Sequence, residues 1–143
     1  MQGATGVADI VPLNRFGRGL SARDDHGFAF VGDPTVVMSW EQGQRVTVSA
    51  MLEGIPYYHP VDVVMGVCYV RDDGNLARLD RLHRIDSTSS ISNGALAPSV
   101  SATGVPVDVP HGALLEVGVC LRGETDGIWE PEPPMGWVMI TND

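Results

Sequence analysis

Few side chains in this 143-residue sequence stand at spacings that could do chemistry. Two cysteines occupy the same place in two copies of one pattern, Val64-Met65-Gly66-Val67-Cys68-Tyr69-Val70-Arg71 and Glu116-Val117-Gly118-Val119-Cys120-Leu121-Arg122. Two thiolates are too few for a cysteine-only metal site, and no CxxC spacing occurs. Copies lying in register would bring Cys68 and Cys120 close, which leaves a disulfide open. The expectation here is reduced, buried thiols, which pack as small apolar side chains in a chain without a secretion signal. His26, His59, His83 and His111 are well separated, form no HExxH or HxH pattern, and read as surface residues. Adjacent carboxylates occur at Asp24-Asp25 and Asp72-Asp73. Successive residues of a strand point opposite ways, so such pairs do not make an acid/base couple, and turn chemistry accounts for the second. The hydroxyls of Ser87 to Ser90 lack a specified base. GxSxG, P-loop and GxGxxG patterns are missing. No catalytic residue, cofactor or metal ligand is assigned, and the chain reads as a non-enzyme.

Aromatic and charged residues outside any clear period are the better candidates for contact. Tyr57, Tyr58 and Trp129 lie beside prolines in expected loops, where they could anchor an interface, stack on a sugar, or cap the ends of a sandwich. Arg78, Arg81 and Arg84 form a basic edge that could pair with the acidic segment around Glu124, Glu130 and Glu132 of another subunit, or simply keep an edge soluble. Ile10, Leu13, Arg15 and Arg18 sit in a segment with no strong period of its own. The interface candidates are therefore Ile10, Leu13, Arg15, Arg18, Tyr57, Tyr58, Arg81 and Trp129.

Composition narrows the class of partner. Nine Arg, no Lys and 18 Asp or Glu give a net charge of −9. A surface of that sign repels a phosphate backbone, which disfavours nucleic acid as a partner. The all-arginine cation set fits either a GC-rich genome or adaptation to salt. No run approaches the ~20 apolar residues of a membrane-spanning helix, and Met1-Gln2-Gly3-Ala4-Thr5-Gly6 does not open a signal peptide. The expectation is synthesis in a host cytoplasm, with no membrane partner.

The elements that must position these residues are strands. From Arg45 to Glu53, Val46, Val48, Ala50 and Leu52 alternate with polar residues, the pattern of a strand with one buried face. Val61 to Arg71 is apolar on both faces, as a central strand should be. Asp72-Asp73-Gly74-Asn75 is a hairpin turn. The return segment Leu76 to Ile85 carries leucines at a spacing of three, but the tight turn before it argues for a strand. Val100, Ala102, Val105, Val107 and Val109 alternate around a bulge expected at Gly104. Ile55 to Pro60 and Asp86 to Gly94 are expected loops, and Gly136 to Thr141 is a final strand. These features predict an all-β antiparallel sandwich, jelly-roll-like, of eight or nine short strands over residues 27–143. Residues 1–26 are expected to form an extended N-terminal arm.

The stretch from Phe28 to Thr141 resembles the jelly-roll heads of C1q- and TNF-like trimers and of bacteriophage or archaeal-virus decoration and receptor-binding proteins. The residues that carry the likeness are Gly43-Gln44-Arg45-Val46-Thr47-Val48, Pro110-His111-Gly112-Ala113-Leu114-Leu115-Glu116-Val117-Gly118-Val119 and Gly136-Trp137-Val138-Met139-Ile140. The resemblance implies a structural virion protein: a capsid decoration (cement) protein that homotrimerises and docks on a major capsid or tail protein through its arm. The alternative is a carbohydrate- or receptor-binding head, with glycan as partner through Tyr57, Tyr58 and Trp129.

Overall fold

The structure is a computed structural model that describes residues 6–14, 27–37, 40–41, 43–52, 55–57, 61–79, 83–87, 94–96, 99–124 and 133–142. For 6–8, 55–57, 61–63, 83–87, 94–96 and 123–124 it gives the course of the backbone alone. Among these residues there are twelve strands and no helix: β1 Gly6–Pro12, β2 Ala29–Phe30, β3 Thr35–Val37, β4 Arg45–Met51, β5 Ile55–Tyr57, β6 Val61–Val70, β7 Leu76–Arg78, β8 His83–Ser87, β9 Gly94–Leu96, β10 Ser99–Gly104, β11 Leu115–Glu124 and β12 Met135–Asn142.

Two antiparallel sheets form the sandwich. One has the order β1-β12-β4-β10; the other has β2-β11-β6-β7, with β3 also on β11 and β8 also on β6. β2 and β3 are consecutive halves of one strand. Phe30 pairs with Cys120 and Thr35 with Val117, and between them Val31 N–H donates to the Val119 carbonyl at 2.9 Å. The break falls where Gly32 takes a φ of 68° and Pro34 has no N–H for the ladder. β7 and β8 are likewise halves of one strand laid along β6. Counted this way, the first strand pairs with the eighth, the second with the seventh, the third with the sixth and the fourth with the fifth. This is one long double-stranded ribbon folded over on itself, the eight-stranded jelly roll. The small β5–β9 ribbon lies outside the two sheets.

The expected all-β sandwich is what the chain forms, and its residues explain why. β4 alternates half-buried and buried residues and β10 alternates exposed and buried ones, so each presents one face to the core. The core between the sheets contains Trp40, Val46, Val48, Met65, Val67, Leu115, Val117, Val119, Val138 and Ile140, all at most 2% exposed. β6 and β11 are apolar on both faces because a second cluster, Phe28, Phe30, Cys68, Leu76 and Cys120, packs on the far side of their sheet. The turn after β6 is closed by Gly74 N–H to the Arg71 carbonyl and Arg71 N–H to the Asn75 carbonyl, both 2.9 Å, with Gly74 at φ 87°.

Four expectations need correction. Residues 6–14 are not an arm. β1 is an edge strand of the first sheet, and the sandwich therefore includes chain well before residue 27. Leu13 N–H bonds the Gly136 carbonyl at 3.0 Å, and Asn14 N–H bonds Thr35 Oγ1 at 2.8 Å, which stitches this segment to both sheets. The rest of the expected arm lies outside the described residues. The Gly104 bulge is absent from the β4–β10 ladder, which runs in register through Gly104 opposite Val46. Glycine is needed there for a different reason, since a Cβ would come within 2.5 Å of the Leu79 carbonyl oxygen. The irregularity falls instead between Val7 and Asp9 in β1. Ile55–Tyr57 is a strand rather than a loop, because Gly94–Leu96 supplies a partner that is distant in sequence. Lastly, Cys68 and Cys120 are joined in a disulfide, not reduced.

Candidate interaction surface

The two sheets turn very different outer faces to the surroundings. On the second sheet, the repeated pattern pairs with itself. Val67 stands opposite Val119, Cys68 opposite Gly118, and Cys120 opposite Gly66. Val67, Val117 and Val119 point into the main core, and the cysteines point outward into the second cluster. Each cysteine thus faces a glycine across the ladder, which leaves room for the bridge to run diagonally over a Cα–Cα distance of 5.7 Å. The Phe30 ring lies over Gly118, where a Cβ would meet it at 3.3 Å. At the neighbouring position the Arg122 guanidinium stands 4.8 Å from the centroid of the Phe28 ring, a cation–π contact. Among the described residues the middle of this face is apolar, cross-linked and covered by its own aromatics.

The first sheet differs. Its inner row (Val46, Val48, Ala50, Val100, Ala102, Val138, Ile140) is buried. Outward, by the alternation of the strands, point Ile10 and Pro12 of β1, Met135, Trp137, Met139 and Thr141 of β12, Arg45, Thr47, Ser49 and Met51 of β4, and Ser99, Ser101 and Thr103 of β10. Register places Ile10 beside Met139, Pro12 beside Trp137, and Met135 beside Met51, so the apolar members form one strip across three strands. Ile10 is 58% exposed, and Met51 and Trp137 are each 40% exposed. Hydroxyls fill the remainder, with Thr47 and Thr103 hydrogen-bonded to each other at 2.9 Å. Arg45 is the single charged side chain in these rows among the described residues.

A third feature is an open cleft of about 460 Å³ lined by Asp72, Asp73, Asp108, Val109 and Pro110. Its geometry comes from the turn after β6: Asp72 N–H bonds the Asp108 carbonyl at 2.7 Å, and Asp108 takes a φ of 61°. Arg71 pairs with Asp73 at 3.0 Å, and Asp73 Oδ1 accepts the Asn75 N–H at 2.9 Å. Among the described residues no three His, Cys, Asp or Glu side chains come together in a way that could hold a metal ion. The carboxylates here act as turn-formers and as the partner of an arginine.

The interface candidates read from the sequence separate sharply. Ile10 stands exposed on the outer strip, whereas Leu13 is 3% exposed and belongs to the main core, which removes it as a contact residue. The backbone of Tyr57 is in β5 and its side chain lies outside what is described; Arg15, Arg18, Tyr58, Arg81 and Trp129 lie outside the described residues altogether. Sequence reasoning missed Met51, Trp137 and Met139 as a surface. The signal was the parity of β12: Val138 and Ile140 occupy one face, so Trp137 and Met139 must occupy the other. Compared with protein-family models, with curated proteins and with solved structures, the chain matches none.

Proposed function

We propose that this chain is a non-enzymatic structural protein of a virion, a capsid decoration protein that homotrimerises and docks on a capsid surface. The observation that supports the reading most is the contrast between the two outer faces. One is covered at its middle by aromatics and a disulfide; the other is an uncharged strip of Ile10, Met51, Met135, Trp137 and Met139 framed by hydroxyls. Monomeric soluble proteins rarely expose contiguous apolar strips, and where they do the strip usually marks a contact site. A rigid, cross-linked block with one adhesive face suits a building part better than a turnover catalyst. Docking through a free arm is no longer part of the proposal for residues 6–14, since these are committed to the sheet.

The reading is tested by two measurements on the full chain. Light scattering of the purified protein should give the mass of three chains. Mass spectrometry of virus particles purified from the source should find the chain in them. Particles free of it would overturn the virion assignment, and a monomer at every concentration would overturn the trimer.

A further inference from the structure

We infer that the outward face of the β1-β12-β4-β10 sheet is the surface through which copies of this chain meet one another. The inference deepens the homo-oligomer reading above and rests on it. Other exposed apolar residues are scattered: Val36 on β3, Val105 and Val107 in the segment after β10, Leu114 just before β11. Among the described residues, this is the face on which register joins such residues into a strip, from Ile10 and Met139 through Pro12 and Trp137 to Met135 and Met51.

The occupant follows from charge. Each chain carries −9, so most of its surface repels a second copy. A symmetric contact also brings every charge near its axis against its own image, where like charges oppose association. The face that copies can share must therefore be nearly free of charge. Here the hydroxyl rows Thr47, Ser49, Ser99, Ser101 and Thr103 replace the carboxylates and arginines found elsewhere, and Arg45 sits opposite Thr141 near the end of the sheet. Among the described residues an acidic or basic partner would find one charged side chain on this face, Arg45 near its end. One of the two edges of the sheet, β1, is blocked as an alternative route. β1 bears an irregularity between Val7 and Asp9, an exposed carboxylate at Asp9 and a proline at Pro12, devices that hinder addition of a further strand. Contact through the face has Trp137, the large aromatic of the strip, as its anchor.

The test is sedimentation velocity and light scattering on the full chain and on three variants over a wide concentration range. Trp137→Arg should weaken self-association by about thirtyfold or more, as removal of an anchor residue does. Ser101→Glu tests the same face without touching an apolar residue and should also yield monomer. Leu114→Arg, on a different surface, should keep the wild-type mass. Retention of wild-type melting temperature separates loss of contact from loss of fold. Because the contact is uncharged while the chains as a whole repel, raising salt to 1 M NaCl should preserve or strengthen the wild-type association. An oligomer that survives both Trp137→Arg and Ser101→Glu would overturn this face while leaving the oligomer reading intact, and would assign the strip to another partner. Dissociation of the wild type by salt would overturn it as well. A wild-type monomer at all concentrations would remove the oligomer reading itself.

Discussion

At the scale of single residues, two positions decide much of the packing. Gly136 opens β12 opposite Ala50 with a φ of 148°, and a Cβ there would fall on the Ser49 carbonyl oxygen and within 2.9 Å of the Ala50 Cα. Backbone atoms in a ladder cannot move aside as a flexible side chain can. Gly136→Ala is therefore expected to cost about 3 kcal/mol or more, read from urea denaturation; a change under about 0.5 kcal/mol would show the close approach to be false. Leu13 is the second position. Truncation to alanine should cost about 2–5 kcal/mol as a cavity opens in the core, while Val107→Ala, at a residue 61% exposed, should stay within about 0.5 kcal/mol. Leu13 was illegible in the sequence because it stands in a segment without a period. Its backbone is held by the Gly136 carbonyl, a partner distant in sequence that no local pattern can reveal. Trp137 was missed as well, although the parity of its own strand carried the signal.

At the scale of elements, the repeated pattern governs. The copies in β6 and β11 were visible as equivalent central strands, and their apolar character on both faces was correctly read as centrality. The bond between their cysteines was not legible. Whether two thiols meet depends on register, and a shift of one residue would send them to opposite faces. With the observed register, the bridge closes a loop across a sequence separation of 52 and should stabilise the fold by about 4 kcal/mol through the unfolded state. Urea midpoints with and without reductant measure this. Thiol titration of the unfolded protein without reductant should find no free thiol; two reactive thiols would overturn the bridge. The Leu76 to Ile85 segment shows a similar limit. Its spacing of three suited a helical turn, yet Leu76 joins the outer cluster and Leu79 the main core, since the segment crosses from one half-strand to the next along β6. β1, though an edge element, carries part of the core with it. Deleting residues 1–14 would strip the ladder partner from β12 and remove Leu13 together, and should leave a protein that melts at least about 10 °C lower or aggregates. Light scattering during a thermal ramp distinguishes this from an unneeded arm, whose loss would leave the melting curve unchanged.

For the whole molecule, fold class was legible and the character of the outer faces was not. Strand number and turn signals could predict a sandwich, and the pairing of first with eighth through fourth with fifth strands makes it a jelly roll. Surface character required both the sheet order and the register, because the strip is assembled from β1, β12 and β4, three strands far apart in the chain. The prediction proper to this scale is a concentration-dependent mass that responds to Trp137 and not to Leu114. Raising salt should not lower that mass.

The pairing of the first and last strands also determines how the molecule bears tension. Gly6 stands opposite Asn142, so a pull between these two points loads the β1–β12 ladder at one end and parts its hydrogen bonds singly, as a zipper opens. Shear resistance, in which many bonds share the force, is unavailable in that direction. Peeling would nevertheless stop short of full extension. The Cys68–Cys120 bridge carries the load past the residues between them, and the separation of 52 corresponds to about 180 Å of chain that never comes under tension. In a force-extension trace, the contour length gained on unfolding should grow by that amount when reductant is added.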